Sequence, residues 1–198
     1  MSKNPMCCGT SPFFGCRFSL YPMTNEFVPV ILDAIEEINR PGLKVETDVV
    51  STCLTGVERN VFAALRDSFS RAAATGEHVV MTATFSKGCP GEGAVNLEEY
   101  DFPAETDFSA KEGSDREVNA QFSVYPLGNQ SYMKLIGDVV DLVKRADVYQ
   151  ESVHFCTSLE GSIANVFEAL EEAFSYVSKE VGHTVMTVTL SCNSPSKK

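Results

Sequence analysis

Long apolar runs are missing from this 198-residue sequence. No stretch approaches the roughly 18 consecutive apolar residues that a membrane-spanning helix needs. The first 14 residues also lack the apolar core that is typical of a secretory signal peptide. We therefore expect a cytoplasmic protein without membrane spans.

Basic residues are in the minority. Lys and Arg together number 16 against 27 Asp and Glu, and the formal net charge is -11. Proteins that bind nucleic acid need clustered positive charge to contact the phosphates. The composition therefore argues against a nucleic-acid partner, whereas a neutral or cationic ligand is compatible with it.

Recognisable metal-binding and catalytic motifs are missing as well. The seven cysteines form no C-x-x-C pair, and the three histidines do not lie at metal-ligand spacing from them. The sequence has no dinucleotide-binding glycine motif, phosphate-binding loop, nucleophile elbow or H-E-x-x-H pair. We predict no metal site, no catalytic residues and no cofactor.

What the sequence does contain is an internal duplication. Residues 78–86, HVVMTATFS, recur at 183–191 as HTVMTVTLS, with six identities in nine positions. Two further blocks recur at nearly the same offset, residues 60–69 at 165–174 and residues 18–22 at 122–126. Blocks that recur in the same order indicate one structural unit written twice.

Each unit has the periodicity of a small α+β fold. Alternating apolar positions predict strands near residues 16–21, 43–55 and 79–85, the middle stretch being a hairpin. Apolar residues three or four apart predict helices near 26–39 and 55–74. The order βαββαβ is that of the ferredoxin-like fold.

We therefore predict two ferredoxin-like repeats, each a four-stranded antiparallel sheet with helices on one face. The first repeat is placed at residues 10–88, an acidic linker containing Gly and Pro at 89–117, and the second repeat at 118–193. The helix-free faces carry mixed side chains and need cover. We expect sheet-to-sheet packing, either between the repeats or in a homodimer.

Strand alternation places one hydroxyl group in each apolar layer. On the third strand of the first repeat, Val50, Thr52 and Leu54 are predicted to face the helices. Phe155, Thr157 and Leu159 are predicted to do so in the second repeat. A buried hydroxyl needs a hydrogen-bond partner. Two interpretations remain open, a bond to a nearby backbone carbonyl or a pocket in which Thr52 and Thr157 orient a polar heterocycle.

Four segments resemble a known family, the YkoF-like thiamine/hydroxymethylpyrimidine-binding proteins. The segments are CGTSPFFGCRFSLYPMT at 8–24, DVVSTCLTG at 48–56, FSKGCPG at 85–91 and MTVTLSCNSPS at 186–196. The resemblance implies a tandem ACT-like, ferredoxin-like fold that dimerises and binds thiamine or its pyrimidine moiety in each repeat. It also implies a link to uptake or salvage of the vitamin precursor through a membrane transporter.

With such a ligand, Thr52 and Thr157 are the predicted contacts to the edge of the ring. Leu20 and Val124, on the adjoining first strands, are placed beside the ring. Because Leu20 corresponds to Val124 and Val50 to Phe155, the walls of the two pockets differ. One such change is worth roughly 10–200-fold in affinity, so we predict unequal affinities.

Two other function classes suit the same fold. One is a small enzyme of the isomerase or monooxygenase type, since the fold hosts many activities. The other is a regulatory domain that senses an amino acid. The proposed pocket lacks an acid/base or nucleophilic group, and its inward faces lack the charges that would hold a zwitterion. Both observations favour a non-enzymatic binding protein.

Overall fold

The computed structural model describes residues 14–88 and 109–196. Residues 10–13 of the predicted first repeat and 89–108 of the predicted linker lie outside the described residues. Both predicted βαββαβ units are present, so the predicted α+β fold class is confirmed.

The first repeat alternates buried and exposed residues along its strands, as the period of two requires. Its first helix ends before Gly42, whose φ of 84° is a backbone conformation that glycine adopts without strain. The elements are β1 (Phe14–Pro22), α1 (Phe27–Glu36), β2 (Leu43–Thr47), β3 (Thr52–Gly56), α2 (Glu58–Ala73) and β4 (Val79–Lys87).

The second repeat has the same order with slightly longer elements. Its last helix starts at a serine N-cap, where the Oγ of Ser162 accepts a hydrogen bond from the backbone N–H of Asn165. The elements are β5 (Glu117–Leu127), α3 (Tyr132–Arg145), β6 (Tyr149–Val153), β7 (Cys156–Ser162), α4 (Ile163–Glu180) and β8 (His183–Cys192).

The two four-stranded halves form one antiparallel sheet in the order β2-β3-β1-β4-β8-β5-β7-β6. They join because β4 pairs with β8 along its whole length, from Val79 opposite Cys192 to Lys87 opposite Thr184. The repeats therefore meet edge to edge. Among the described residues, the face of one repeat does not pack on the face of the other, which was one of the two predicted ways of covering it.

Helices cover one face of this sheet. In β1, Cys16 and Phe18 point toward the helices and are buried, whereas Arg17 between them is exposed. Thr84 on β4 is likewise exposed on the opposite side. We call this helix-free side the open face. Within residues 14–88 and 109–196, no helix is long and apolar enough to cross a membrane.

Four phenylalanines from both repeats pack together beneath the joined strands. The ring of Phe62 on α2 stacks on Phe85 of β4 with centroids 4.3 Å apart, and Phe14 of β1 meets Phe174 of α4 at 5.2 Å. All four side chains are at most 4% exposed. Since α4 belongs to the second repeat, the two units share a single core.

Candidate functional site

The four predicted binding residues form two equivalent pairs. Phe18 on β1 lies opposite Thr52 on β3, so Leu20, two residues further on, is the diagonal neighbour of Thr52 on the helix-facing side. Thr157 and Val124 have the same relation on β7 and β5. The structure thus brings together Thr52 with Leu20 and Thr157 with Val124, each pair within its own repeat.

The two pairs lie at opposite ends of the joined sheet. β1 approaches its carboxyl end where Leu20 pairs with Met81, near the Val79 end of β4. β5 approaches its carboxyl end where Val124 pairs with Met186, near the His183 end of β8. Because β4 and β8 run antiparallel, these two ends are at opposite sides of the molecule.

In the second repeat a cleft opens between the end of β5 and the start of α3. Its volume is about 460 Å³, and its walls are mainly apolar. Asn129 fixes the connecting loop, since its Oδ1 accepts a hydrogen bond of 2.7 Å from the backbone N–H of Ser131. Val124 lines the cleft, and Thr157 is its diagonal neighbour on the next strand. The lining residues are Val124, Tyr125, Pro126, Leu127, Gly128, Asn129, Gln130, Tyr132 and Ile136.

The first repeat has a matching loop between β1 and α1. Here the Oγ1 of Thr24 accepts a hydrogen bond of 3.3 Å from the N–H of Glu26, and the acceptor again lies three residues before the first residue of the helix. Large apolar side chains are exposed around both loops, and such concentrated exposure marks a binding surface. They are Tyr21, Met23, Phe27, Val28 and Leu32 in the first repeat and Tyr125, Leu127, Tyr132 and Met133 in the second.

The buried hydroxyl of Thr52 has a local partner. Its Oγ1 lies 3.0 Å from the Oγ1 of Thr47 across the β2–β3 ladder. A hydroxyl offers one donor and two acceptor lone pairs, so this bond leaves Thr52 with further capacity. In the second repeat the neighbour of Thr157 on β6 is Ser152, whose Oγ lies 3.1 Å from the hydroxyl of Tyr149. The two threonines therefore have different polar surroundings.

The prediction that Val50 and Phe155 face the helices is wrong. Val50 is 76% exposed and Phe155 is 99% exposed. Val50 lies in the turn before β3, and Phe155 lies in the turn before β7 with a φ of 71°. Side chains alternate between faces only where the backbone is extended, so the rule does not reach through these turns.

The turn between β2 and β3 and the turn between β6 and β7 are here called the hairpin tips. Both tips bend toward the open face, where a serine forms a hydrogen bond to each of them. Ser19 of β1 donates its Oγ–H to the carbonyl of Val50 at 3.0 Å. At the corresponding position of β5, Ser123 donates to the carbonyl of Phe155 at 2.8 Å. The tips are thus anchored by equivalent bonds, although the side chains that they carry differ.

The first tip has a second set of bonds. The Oδ1 of Asp48 accepts hydrogen bonds from the N–H groups of Val50 and Ser51, at 2.8 and 2.9 Å. Its Oδ2 accepts one of 2.7 Å from Arg17. The N–H groups of Ser51 and Val50, with the Arg17 guanidinium, lower the pKa of Asp48 to about 2. This tip is therefore braced by a carboxylate at neutral pH.

Sequence reasoning missed the loop and the helix start that line the cleft, including Asn129, Tyr132 and Ile136. For the equivalent region of the first repeat, the sequence did hold a sign. α1 begins Phe-Val-Pro-Val-Ile-Leu, which is apolar around the whole helix and not only on one face. An amphipathic helix needs a narrower apolar stripe, so the surplus apolar residues indicate a further contact.

A larger cavity, of about 720 Å³, lies between α2 and α4 and contains none of the predicted residues. Its walls carry charges of both signs, and burial raises the pKa of Glu171 there. Such a balance of charges selects no ligand class. Among the described residues, no group of His, Cys, Asp and Glu side chains is placed to hold a metal ion.

Two comparisons with known proteins point to one family. A family model described as "YKOF-related Family" matches residues 13–92 and again 117–197. The chain is 39% identical over 193 residues to a protein of Bacillus subtilis (strain 168) that carries the provisional name HMP/thiamine-binding protein YkoF, and the match covers 96% of each chain. A solved aspartate kinase of Clostridium acetobutylicum aligns with 89% of this chain and 37% of its own, but the TM-score of 0.23 at 7% identity carries no argument.

Proposed function

Because the chain belongs to the YkoF-related family, we propose that it is a non-enzymatic binding protein for thiamine or its hydroxymethylpyrimidine moiety. Each repeat contributes one binding site, and the ligand needs no further cofactor. The observation that carries this proposal is the equivalence of the two residue pairs, Thr52 with Leu20 and Thr157 with Val124. A buried threonine and an aliphatic residue stand in the same diagonal relation in both repeats, next to exposed apolar side chains.

The chemistry of the second cleft suits an aminopyrimidine. Such a ring is flat and apolar on its faces and polar at its edge. Val124 and Ile136 offer apolar walls, while the strand backbone and Thr157 offer hydrogen bonds to the edge. Pockets for small ligands combine many apolar contacts with a few placed polar groups. Leu20 and Thr52 have the corresponding roles in the first repeat.

Hydroxyl, amide and backbone groups are what the second cleft offers to a bound molecule. Catalysis by proton transfer or nucleophilic attack would need a titratable group or an activated nucleophile beside the ligand. The lining of the second cleft includes no Asp, Glu, Lys, Arg, His or Cys, and its titratable side chains are the phenols of Tyr125 and Tyr132. This supports binding over the isomerase and monooxygenase alternatives. It also leaves the carboxylate of an amino acid without a cationic partner there.

The net charge of -11 favours a cationic ligand in general terms. Thiamine carries a positive thiazolium ring, which hydroxymethylpyrimidine lacks. A negative surface field raises the local concentration of a cation and speeds its association, in a salt-dependent manner. Thiamine binding should therefore weaken more than hydroxymethylpyrimidine binding when the salt concentration rises.

Isothermal titration calorimetry with thiamine and, separately, with hydroxymethylpyrimidine tests the proposal. We expect two binding events per chain with unequal affinities, because Leu20 and Val124 shape the two walls differently. Thr52→Val should weaken one event by about 10-fold, and Thr157→Val should weaken the other, since each loses a hydrogen bond of about 1–2 kcal/mol. No heat with either compound at tens of micromolar protein would refute the ligand assignment. Binding unchanged in both variants would refute the site residues.

We further propose that the chain forms a homodimer in which two open faces pack on each other. The support is the open face itself, which the described part of the chain leaves exposed at Arg17, Tyr21 and Thr84. Stacked sheets pack about 10 Å apart with interleaved side chains. Analytical ultracentrifugation should give twice the chain mass of 21.6 kDa. Thr84→Arg should then lower that mass toward the monomer, and a monomeric wild type would contradict the arrangement.

The cellular role that we propose is to hold the vitamin precursor in the cytoplasm after its uptake or salvage. Delivery from a membrane transporter encoded elsewhere is the simplest source of the ligand. A strain that lacks this protein should accumulate less labelled hydroxymethylpyrimidine at limiting supply, and the wild-type gene should restore it. Equal accumulation in both strains would show that the protein is not needed for uptake.

A further inference from the structure

The two hairpin tips carry the most exposed large apolar side chains of the described residues. Val49 and Phe155 are 103% and 99% exposed, and Val50 is 76% exposed. Both tips lie on the open face, since Ser19 and Ser123 donate hydrogen bonds to them from β1 and β5. Side chains this exposed leave their apolar surface in water. Three of them on one face of the molecule indicate a contact with another molecule.

Both tips are held in place by hydrogen bonds within the chain. The Oδ1 of Asp48 accepts bonds from the N–H groups of Val50 and Ser51, at 2.8 and 2.9 Å. The carbonyl of Phe155 accepts one of 2.8 Å from the Ser123 hydroxyl. A segment that is already ordered loses less conformational entropy when a partner covers it. The tips are therefore pre-organised for a contact.

The backbone of Phe155 is unusual for its residue type. Its φ of 71° lies in the left-handed region, which bulky side chains rarely adopt. The other described non-glycine residues with positive φ are Asp147 and Asn193, whose types tolerate this region. Backbone outliers of this kind cluster at functional sites. The aromatic residue on the second tip is therefore the first candidate for such a contact.

The distribution of charge on the open face favours a second copy of the chain as the partner. Strands β1, β4, β8 and β5 form the middle of this face, and the Asp, Glu, Lys and Arg side chains that they direct to it are Arg17 and Glu117 alone. Arg17 forms an ion pair of 2.7 Å with Asp48. The whole chain has a net charge of -11, which opposes contact between two copies. This repulsion is weakest at the middle of the open face, so two copies can approach each other there.

The size of the open face also suits a dimer. The 8-stranded sheet is about 38 Å wide, because neighbouring strands lie about 4.8 Å apart. Inner strands such as β1 and β4, of 9 residues each, are about 30 Å long. The face therefore offers on the order of 1,000 Å². A stable interface of standard size takes roughly 800 Å² from each partner, so the open face is large enough to form one.

We infer that the two hairpin tips are the apolar anchors of the homodimer, and that each tip packs against the open face of the partner chain. The inference rests on the homodimer proposed above and goes beyond it in assigning the anchors. Sheets that pack face to face lie about 10 Å apart, so a tip that rises from one sheet reaches the other. Phe155 is the larger anchor, because aromatic side chains contribute most at interface hot spots. Val49 and Val50 bury less apolar surface.

Analytical ultracentrifugation of Phe155→Ala separates this inference from the proposed homodimer. The dissociation constant of the dimer should rise about 30-fold or more, as expected for an interface hot spot, and Val50→Ala should raise it by less. Leu32→Ala is the matched control, since Leu32 is an apolar residue of α1, 61% exposed on the helix-covered side. The loss concerns association and not the fold of a single chain. A dimeric wild type whose dissociation constant changes less than about twofold in Phe155→Ala would overturn the inference while the homodimer stands. A monomeric wild type would overturn both.

A fluorescence experiment identifies what covers the second tip. The natural chain contains no tryptophan, so Phe155→Trp carries a single indole at this position. Dilution through the range in which the dimer dissociates should shift its emission to longer wavelength, whereas the emission of Leu32→Trp should stay constant. Unchanged emission of Phe155→Trp in samples that ultracentrifugation shows to dissociate would overturn the inference. An emission that follows added hydroxymethylpyrimidine and not protein concentration would also overturn it, and would assign the tip to the ligand instead.

Discussion

The two repeats agree in their frameworks and differ at their hairpin tips. Each tip is held by a serine at the same place on its first strand, Ser19 or Ser123. The first tip has an additional brace from Asp48 and carries Val50, whereas the second has a two-residue turn and carries Phe155. The comparison teaches that the duplicated units kept the residues that build the sheet. They diverged at the hairpin tips, which bend toward the open face.

The largest effect is expected from a residue that both repeats need. Phe174→Ala removes a fully buried ring from the four-phenylalanine core, and such a truncation costs about 3–5 kcal/mol. Urea unfolding should show one cooperative transition at a lower midpoint, because the core is shared. Phe155→Ala is the control and should change the free energy of unfolding by no more than about 0.5 kcal/mol. Separate transitions for the two repeats in the wild type would contradict a single core.

The next effect concerns the junction of the repeats at one end of β4 and β8. Gly88 has a φ of 93°, and a Cβ there would lie 2.0 Å from the carbonyl oxygen of Gly182 in the other repeat. Gly88→Ala should therefore cost about 3 kcal/mol, because backbone must move. Gly76 has a φ of 82° but open space around it, so Gly76→Ala should cost only about 1 kcal/mol. If the two variants lose equal free energy of unfolding in urea, the close approach of the repeats does not add to the cost of Gly88→Ala.

A smaller effect should distinguish the tips by pH. The pKa of Asp48 is lowered from 3.8 to about 2, so the folded state holds the carboxylate more firmly than the unfolded state does. Its contribution to stability is complete above pH 3.8 and is lost as the pH falls toward 2. In an NMR titration, the amide signals of Val50 and Ser51 should move over this range. The signal of Cys156 should not, because the Ser123 hydroxyl that holds the second tip does not titrate there.

The smallest expected effect is an increase in stability. Phe155→Asn should raise the free energy of unfolding by about 0.5–1 kcal/mol, because asparagine tolerates the left-handed region and little packing is lost. Urea unfolding of this variant beside Phe155→Ala measures the relief, since alanine keeps the unfavourable φ. A lower stability of Phe155→Asn would mean that the ring makes a contact in the folded chain.

Much of the framework could be predicted from the sequence, because period-2 and period-3.6 patterns are local. The duplication and the βαββαβ order followed from them. The positions of Thr52 and Thr157 on buried strand faces did so too. The direction of Val50 and Phe155 could not be derived in this way, because both lie in turns whose dihedral angles depend on Asp48, Ser51 and other local bonds.

The pairing of β4 with β8 was also beyond local patterns. Nothing in the alternation along one strand states which edge it will join, since edge-to-edge and face-to-face arrangements bury the same inward side chains. The cleft beside Tyr132 and Ile136 depends on how α3 sits on the sheet, which is a tertiary property. In the first repeat, the apolar start of α1 was the available sign of the equivalent region, and it indicates a further contact without identifying the partner.

The register of the joined strands has a consequence for the two proposed binding sites. Ala83 lies opposite Val188, which is its own counterpart in the other repeat, so the seam has the geometry of two identical chains meeting edge to edge. Two separate identical chains would have to carry identical sites. One continuous chain is free of that constraint, and it also fixes the ratio of the unlike sites at one to one. With one proposed site in each repeat and unequal affinities, such a chain would fill in two stages and would respond to a wider range of ligand concentrations than either site alone.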